Sequence, residues 1–277
     1  MTKQKQTIDE LKKTANQIRQ DIISVLLRAG SGHPAGALGM TDIFTILYFK
    51  ILNHTPHKAS SPIRDRLVLS CGHYCPVLYA TLARAGYFPL VELKSLRKIN
   101  SRLQGHPHNL SLPGVENSSG PLGQGISQAV GMALAAKIDK ASYHIFCITS
   151  DAEHDEGQLW EAIMTANKYK LNNLINIVDC NGIQIDGRTP DIMPLLSLRK
   201  KYESFGWRVL DMKGHDYNNI ISTITRAKNY HSAPIAILVK TIPGKGVSFM
   251  ENKYEWHGKA PNQEQAEKAL RELRQTI

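Results

Sequence analysis

Cysteine is scarce in this chain, four residues in 277, and the four stand at Cys71, Cys75, Cys147 and Cys180 without the spacing of a disulfide framework or a zinc site. Cys147 and Cys180 fall in apolar, strand-like runs, and Cys71-x₃-Cys75 is the wrong interval for a redox pair, a pattern that suits a reducing cytoplasm. Long apolar runs are also missing. The longest candidate, Asp42–Leu52, contains Thr45, Tyr48 and Lys50 and falls short of the roughly 20 residues that cross a bilayer. The opening MTKQKQTIDELKK is polar and carries acids, so neither a secretory nor a transit segment is expected. Glycine at 20 and proline at 13 are ordinary levels, which excludes collagenous and low-complexity chains.

What remains is a globular composition, 42% hydrophobic and 21% charged, with one excess. Thirty-four Lys and Arg against 24 Asp and Glu leave a net charge of +10. Such a balance fits a nucleic-acid binder, a binder of small phosphorylated ligands, or a subunit that docks on an acidic partner. The basic residues are scattered, densest at Lys12–Lys13, Arg199–Lys201 and Arg271/Arg274, and no nucleic-acid-binding motif accompanies them. Neither nucleic acid nor membrane is expected as a partner.

Apolar spacing predicts a helix from Thr7 to Arg28 that stops at Gly30-Ser31-Gly32, and a second over Thr41–Leu52 with Thr41 as its cap. After a short strand at Arg66–Ser70, a helix over Pro76–Ala85 and a turn-rich loop over 100–125, a helix is expected at Ile126–Ile138. Strands then alternate with helices: Tyr143–Thr149, Glu156–Tyr169, Leu174–Val178, Leu195–Phe205, Trp207–Asp211, Tyr217–Asn229 and Ile235–Thr241, with a closing helix at Gln263–Arg274. Strands with few polar positions alternating with helices imply an α/β fold, a doubly wound, mostly parallel sheet covered on both faces. No linker or repeat divides the chain, so 1–277 reads as a single domain with an N-terminal helical layer and a C-terminal tail.

Ligands of such sheets gather beyond the carboxyl ends of the strands. Two expected strands end there in Ser150-Asp151-Ala152-Glu153 and in Asp179-Cys180-Asn181-Gly182-Ile183. An acid on one loop and an amide oxygen on its neighbour can share a hard cation such as Mg²⁺, although Asp and Asn also cap helices and start turns at such places. Four histidines follow glycine (His33, His73, His106, His215) and His257 precedes one. His33, His73, His106 and His257 lie in expected loops, where imidazoles can line a polar sugar site. His215 reads instead as a helix cap near Asp216, and His54, His57, His108, His144, His154 and His231 as surface loop residues. The glycine-rich Gly120-Pro121-Leu122-Gly123-Gln124-Gly125 matches neither a dinucleotide fingerprint nor a P-loop, and serves equally for ligand approach or for tight packing.

Together these segments resemble transketolase. GSGHPAGALG at 30–39, DRLVLSCGHYCPVLYATLARAGYF at 65–88, GHP with PGVENSSGPLGQGI at 105–126, and the stretch from Asp151 to Gly187 with EGQLWEA, D-x-N and QIDG are each similar to a segment of that family. So is KGVSFMENKYEWHG near the end, and the likeness covers about residues 8–260. The resemblance implies a thiamine-diphosphate-binding fold in which Asp151, Asn181 and the carbonyl of Ile183 hold Mg²⁺, with Ca²⁺ a feasible substitute. By the same resemblance His73, Gly120, Pro121, Leu122, Asp151, Ala152, Asn181 and His257 meet the cofactor. His33, His106 and His257 meet the sugar, and Glu156 corresponds to a glutamate near the subunit interface that serves catalysis. The family usually has Gly-Asp-Gly where this chain has Ser150-Asp151-Ala152, and Ala152 is accommodated only at a negative φ.

In the family, a pyrimidine-binding domain with the glutamate that activates the cofactor follows this region. The resemblance therefore implies the N-terminal subunit of a split transketolase of the pentose phosphate pathway. It would be active only with a C-terminal partner chain, forming with it a heterotetramer that self-associates across a dimer, and would pass a two-carbon ketol unit between sugar phosphates. A sulfonated or deoxy ketose as donor, or a non-catalytic cofactor-binding module, are the alternatives.

Overall fold

A computed structural model describes residues 6–275. Helix α1, Ile8–Ala29, begins at a complete capping box in which Thr7 Oγ1 accepts from the Glu10 N–H and the Glu10 carboxylate accepts from the Thr7 N–H. It ends at Gly30, whose left-handed φ of 68° closes the last turn, as the sequence signalled. Helix α2, Pro34–Ile46, starts seven residues before the expected Thr41. All thirteen of its residues are buried, so no polar face marks its register in the sequence. Proline at N1 sets its start, and Thr41 sits mid-helix with its hydroxyl bonded back to the Ala37 carbonyl. A π-helical turn, Leu47–Ile51, ends the run.

Strand β1, Arg66–Leu69, leads through a 3₁₀ turn, Gly72–Tyr74, into α3, Cys75–Ala85. After the long loop come α4, Gln124–Ile138; β2, Ile145–Ser150; a 3₁₀ turn, Ala152–Asp155; α5, Gly157–Lys168; and β3, Leu174–Asp179. A small hairpin of β4, Ile183–Gln184, and β5, Gly187–Arg188, follows, then the short α6, Thr189–Ile192. The alternation resumes with α7, Leu198–Ser204; β6, Arg208–Lys213; α8, Tyr217–Lys228; and β7, Ile235–Lys240. The hairpin and α6 had no signature in the sequence, being too short for any periodicity.

Five strands form one sheet in the order β1-β2-β3-β7-β6, every neighbouring pair parallel. Alternation along the strands divides two cores. Leu67, Leu69, Phe146, Ile148, Ile175 and Ile177 face a core with α1, α2, α3 and α8. Val68, Ile145, Cys147, Leu174, Val178 and Ala236 face another with α4, α5 and α7. This is the doubly wound arrangement expected. The closing helix, α9, Gln263–Gln275, belongs to the first core, since Ala266, Ala269 and Leu273 are buried in it and the Leu273 carbonyl accepts from Asn16 Nδ2 on α1.

Register places the chemistry. Ser150 pairs with Asp179, and the Asp151 N–H donates to the Asp179 carbonyl, so the loops after β2 and β3 leave the sheet side by side. The end of β3 is joined in turn to that of β7, where the Cys180 N–H donates to the Val239 carbonyl, and the ligand-facing loops lie at these carboxyl ends of the strands.

Candidate functional site

A cavity of about 320 Å³ opens at that end of the sheet, and His33, His73, His106 and His257 all line it, with Gly120, Leu122, Ala152, Glu156 and Gln184. Four segments far apart in sequence deliver the imidazoles. His33 is the N-cap of α2, reached through Gly32 at φ 132°, where an added Cβ would lie 2.4 Å from the Leu26 side chain. His73 stands in the 3₁₀ turn after β1, His106 in the long loop, and His257 at the end of a 3₁₀ turn anchored by buried Trp256. Ring centroids of His33, His73 and His257 form a triangle with sides of 5.1, 5.7 and 5.2 Å.

These imidazoles are held neutral. Burial, with His257, Arg97 and His106 nearby, pulls His33 down to about 4. Burial and the neighbouring rings take His73 well below the ordinary histidine range, burial and Arg97 lower His106, and burial lowers His257. His33 Nδ1, His73 Nε2, His257 Nδ1 and Gln184 Nε2 are buried without a hydrogen-bond partner. Buried polar atoms left unpaired cost stability in an empty protein, and four of them facing one cavity mark it as a place built for a polar ligand.

Beside the cavity, buried Asp151 accepts the Ala152 N–H on one oxygen and the Gly182 N–H on the other, each at 2.8 Å. Burial, then the charge of Asp179, pushes its carboxyl up to about 7. Asn181 Oδ1 accepts from the Ile183 N–H at 3.0 Å, bringing the amide oxygen into the same loop. Among the described residues no three His, Cys, Asp or Glu side chains gather to enclose a metal. A cation here would draw on the Asp151 carboxylate, the Asn181 amide oxygen, the Ile183 carbonyl and oxygens of its ligand, a donor set suited to a hard ion. Ala152 opens a 3₁₀ turn and is absent from the positive-φ residues, so the condition on it is met.

Of the eight cofactor-facing residues expected from the sequence, His73, Gly120, Leu122, Ala152 and His257 line this cavity, Asp151 and Asn181 stand on the adjoining loops without lining it, and Pro121 does not line it although Gly120 and Leu122 on either side do. Glu156 is at the cavity wall but exposed, as N-cap of α5. Sequence reading missed Glu153. Fully buried, its carboxylate binds the Gly123 N–H at 2.7 Å, the Ser150 N–H at 3.2 Å and the Ser70 hydroxyl, tying the ends of β1 and β2 to the start of α4. Burial raises it to about 7. Nothing in sequence separates Glu153 from the exposed acids beside it.

Three histidine assignments are corrected. His154 is buried, not in a surface loop: Nδ1 bonds the Ser150 carbonyl and Nε2 the Tyr202 hydroxyl, each at 2.8 Å. His54 is likewise buried, with Nε2 bonded to the Tyr48 carbonyl. His215 is no helix cap, for Asp216 caps α8; His215 Nδ1 bonds Asp42, and its Nε2 accepts from the Ile242 N–H.

Comparison with known proteins gives the same picture. The model of the transketolase, thiamine diphosphate binding domain, matches residues 10–275. The chain is 38% identical to one of the apulose-4-phosphate transketolase subunits of Phocaeicola vulgatus, over 98% of this chain and 96% of that one. It is 41% identical to a 6-deoxy-6-sulfo-D-fructose transketolase subunit of a Clostridium species, over 95% of this chain and 96% of the other. Among solved structures, transketolase of Campylobacter jejuni superposes with a TM-score of 0.91 at 34% identity, covering 97% of this chain and 43% of that longer one.

Proposed function

The chain belongs to the transketolase family, and from that premise we propose that it is the diphosphate-binding subunit of a two-chain transketolase that transfers a two-carbon ketol unit between sugars in the cytoplasm. The observation that carries the proposal is the cavity lined by four imidazoles, three with a buried unpaired nitrogen, set beside the buried Asp151 carboxylate.

In this reading Asp151, Asn181 and the Ile183 carbonyl would hold Mg²⁺, and His73, Gly120, Leu122, Ala152 and His257 would bind thiamine diphosphate. When bound, that cofactor supplies the carbon nucleophile for ketol transfer. Every other task falls to the protein. His33, His106 and His257, lowered by burial, can each give or accept a hydrogen bond at their ring nitrogens, and so would orient sugar hydroxyls. Buried walls keep water from the reacting carbons. Glu156 is exposed at the cavity wall, and in the same reading it would meet the partner.

A partner is part of the proposal because the relatives that this chain covers to 96% are named as transketolase subunits, whereas it covers 43% of the longer Campylobacter jejuni transketolase. Two copies of each chain would make the heterotetramer. The ketose is a sugar phosphate or a sulfonated analogue; relatives named for apulose-4-phosphate and for 6-deoxy-6-sulfo-D-fructose support both. The test is ketol transfer by this chain with and without the partner that co-purifies with it, using phosphorylated and sulfonated ketoses in parallel. Transfer that needs both chains, thiamine diphosphate and Mg²⁺ is expected. Cofactor binding with no transfer from any ketose would leave a non-catalytic module instead.

A further inference from the structure

Strand β3 ends in a carboxylate that the proposed chemistry does not use. Asp179, fully buried, accepts from the Thr241 hydroxyl on one oxygen. Its other oxygen accepts from the Tyr74 hydroxyl at 2.7 Å and from Asn181 Nδ2 at 2.8 Å. Asn181 Nδ2 also donates to the Tyr74 oxygen at 2.9 Å.

The Ile183 N–H needs an acceptor and meets the Asn181 amide oxygen, so the edge of the amide that faces Asp179 and Tyr74 is its NH₂ group. Tyr74 gives its proton to Asp179, and its oxygen accepts from the same Asn181 NH₂ group. The NH₂ group is then held on one side, and the amide oxygen is turned to the other, where the Ile183 N–H meets it and the Gly182 N–H reaches Asp151.

Tyr74 reaches this position through an opening in α2. A Cβ added at Gly36 would lie 2.0 Å from Tyr74 Cε1, 2.3 Å from Cζ and 2.6 Å from the hydroxyl oxygen. Any larger residue at 36 would displace the phenol. The same 3₁₀ turn presents His73 to the cavity and Tyr74 beneath it, the two rings meeting edge to face at 4.6 Å.

We propose that Tyr74 is a positioning residue of the cation site: its hydroxyl, seated in the space that Gly36 leaves open, locks the Asn181 side chain with its oxygen presented to a divalent cation. The inference rests on the reading of Asp151, Asn181 and Ile183 as the residues that hold that cation. Asp179 alone would still orient the amide, so the phenol sharpens an orientation already favoured, and groups behind a metal ligand typically contribute about 10- to 100-fold in affinity.

The test uses the full chain with its partner, thiamine diphosphate, and Mn²⁺ as a paramagnetic probe titrated by electron paramagnetic resonance. Tyr74→Phe keeps the ring and is expected to weaken Mn²⁺ binding about 10-fold. Gly36→Ala, which pushes the ring aside, should weaken it in the same direction. In an Asn181→Ala background Tyr74→Phe should add no further loss, because its effect passes through that amide. Thr241→Val removes the bond on the far side of Asp179; it should lower the melting temperature and leave Mn²⁺ affinity unchanged. Wild-type affinity in Tyr74→Phe, an equal further loss in the Asn181→Ala background, or a matching loss in Thr241→Val would overturn the positioning role. Failure of the wild-type assembly to bind Mn²⁺ with the cofactor would overturn the cation site itself.

Discussion

Asp151 is where a single side chain carries most of the proposed function. A diphosphate in a partly dry site needs its charge neutralised, and Asp151 is the acid on the cation loop. Asp151→Ala should abolish Mg²⁺-dependent cofactor binding in the assembled enzyme, whereas Ile183→Val, which keeps the carbonyl, should be nearly silent; calorimetric titration of the cofactor distinguishes them. Equal losses would remove the metal assignment. His33→Ala and His106→Ala should leave cofactor affinity close to wild type and lower kcat/KM at least about 10-fold, since their place is with the sugar. His257→Ala should do the same with a modest loss of cofactor affinity as well. A second residue-scale outcome concerns His154. Its Nδ1–H donates to Ser150, so Nε2 must accept from Tyr202, a tautomer that exists only when the ring is neutral. Burial lowers His154 to about 4. The unfolded chain binds that proton near pH 6.5 and the folded chain does not, so stability is complete above about 6.5 and falls as pH drops toward 4, by about 3 kcal/mol from this group. Nitrogen chemical shifts of His154 should remain those of a neutral ring through pH 5. A ring that titrates near 6.5 in the folded protein would contradict its burial.

At the scale of elements, one buried ion pair joins three helices. Asp42 on α2 accepts two bonds from Arg19 on α1, one from Tyr217 on α8, and one from His215 just before it. Burial alone would raise the Asp42 carboxyl, but the Arg19 charge and these bonds hold it well below the usual carboxylate range. Removing one partner leaves the other charge buried and uncompensated. Asp42→Leu should therefore cost about 3–5 kcal/mol in urea unfolding, and Arg19→Met in the same chain should recover part of it. If the double variant is the less stable, the penalty is lost packing and not an orphaned charge. Local signals were legible here only where an element has two different faces. The capping box and terminal glycine of α1 could be read directly, whereas α2, apolar on every side, offered no period, and its start came from the fold that surrounds it.

For the molecule as a whole, the two-chain reading makes the proposed site half of one. Leu122 and Ile185 line the cavity and are 36% and 62% exposed, apolar surface at the mouth of a polar pocket. The chain without its partner should show no ketol transfer and should self-associate, since such surface is costly in water. Sedimentation and activity of the homogeneous chain, before and after adding the partner, test both. Turnover by this chain alone would end the two-chain reading. The charge of +10 favours an acidic partner, and the rate of assembly should fall with ionic strength.

The sequence by itself determined the order of strands and helices, the parallel doubly wound class, the two loops at 150–153 and 179–183 and the glycine-flanked histidines, because each is written in neighbouring residues: burial on both faces makes a strand continuously apolar, and a loop needs turn residues where it stands. Only the tertiary structure decided which histidines share a cavity, that His154 and His215 serve the framework, that Glu153 ties three strand and helix ends, and that Tyr74 passes α2 at Gly36 to reach Asp179. Those relations join positions tens to more than two hundred residues apart. Burial, the lone pair left to a hydroxyl and the room beside a glycine are properties of the space between segments, and no single segment contains them.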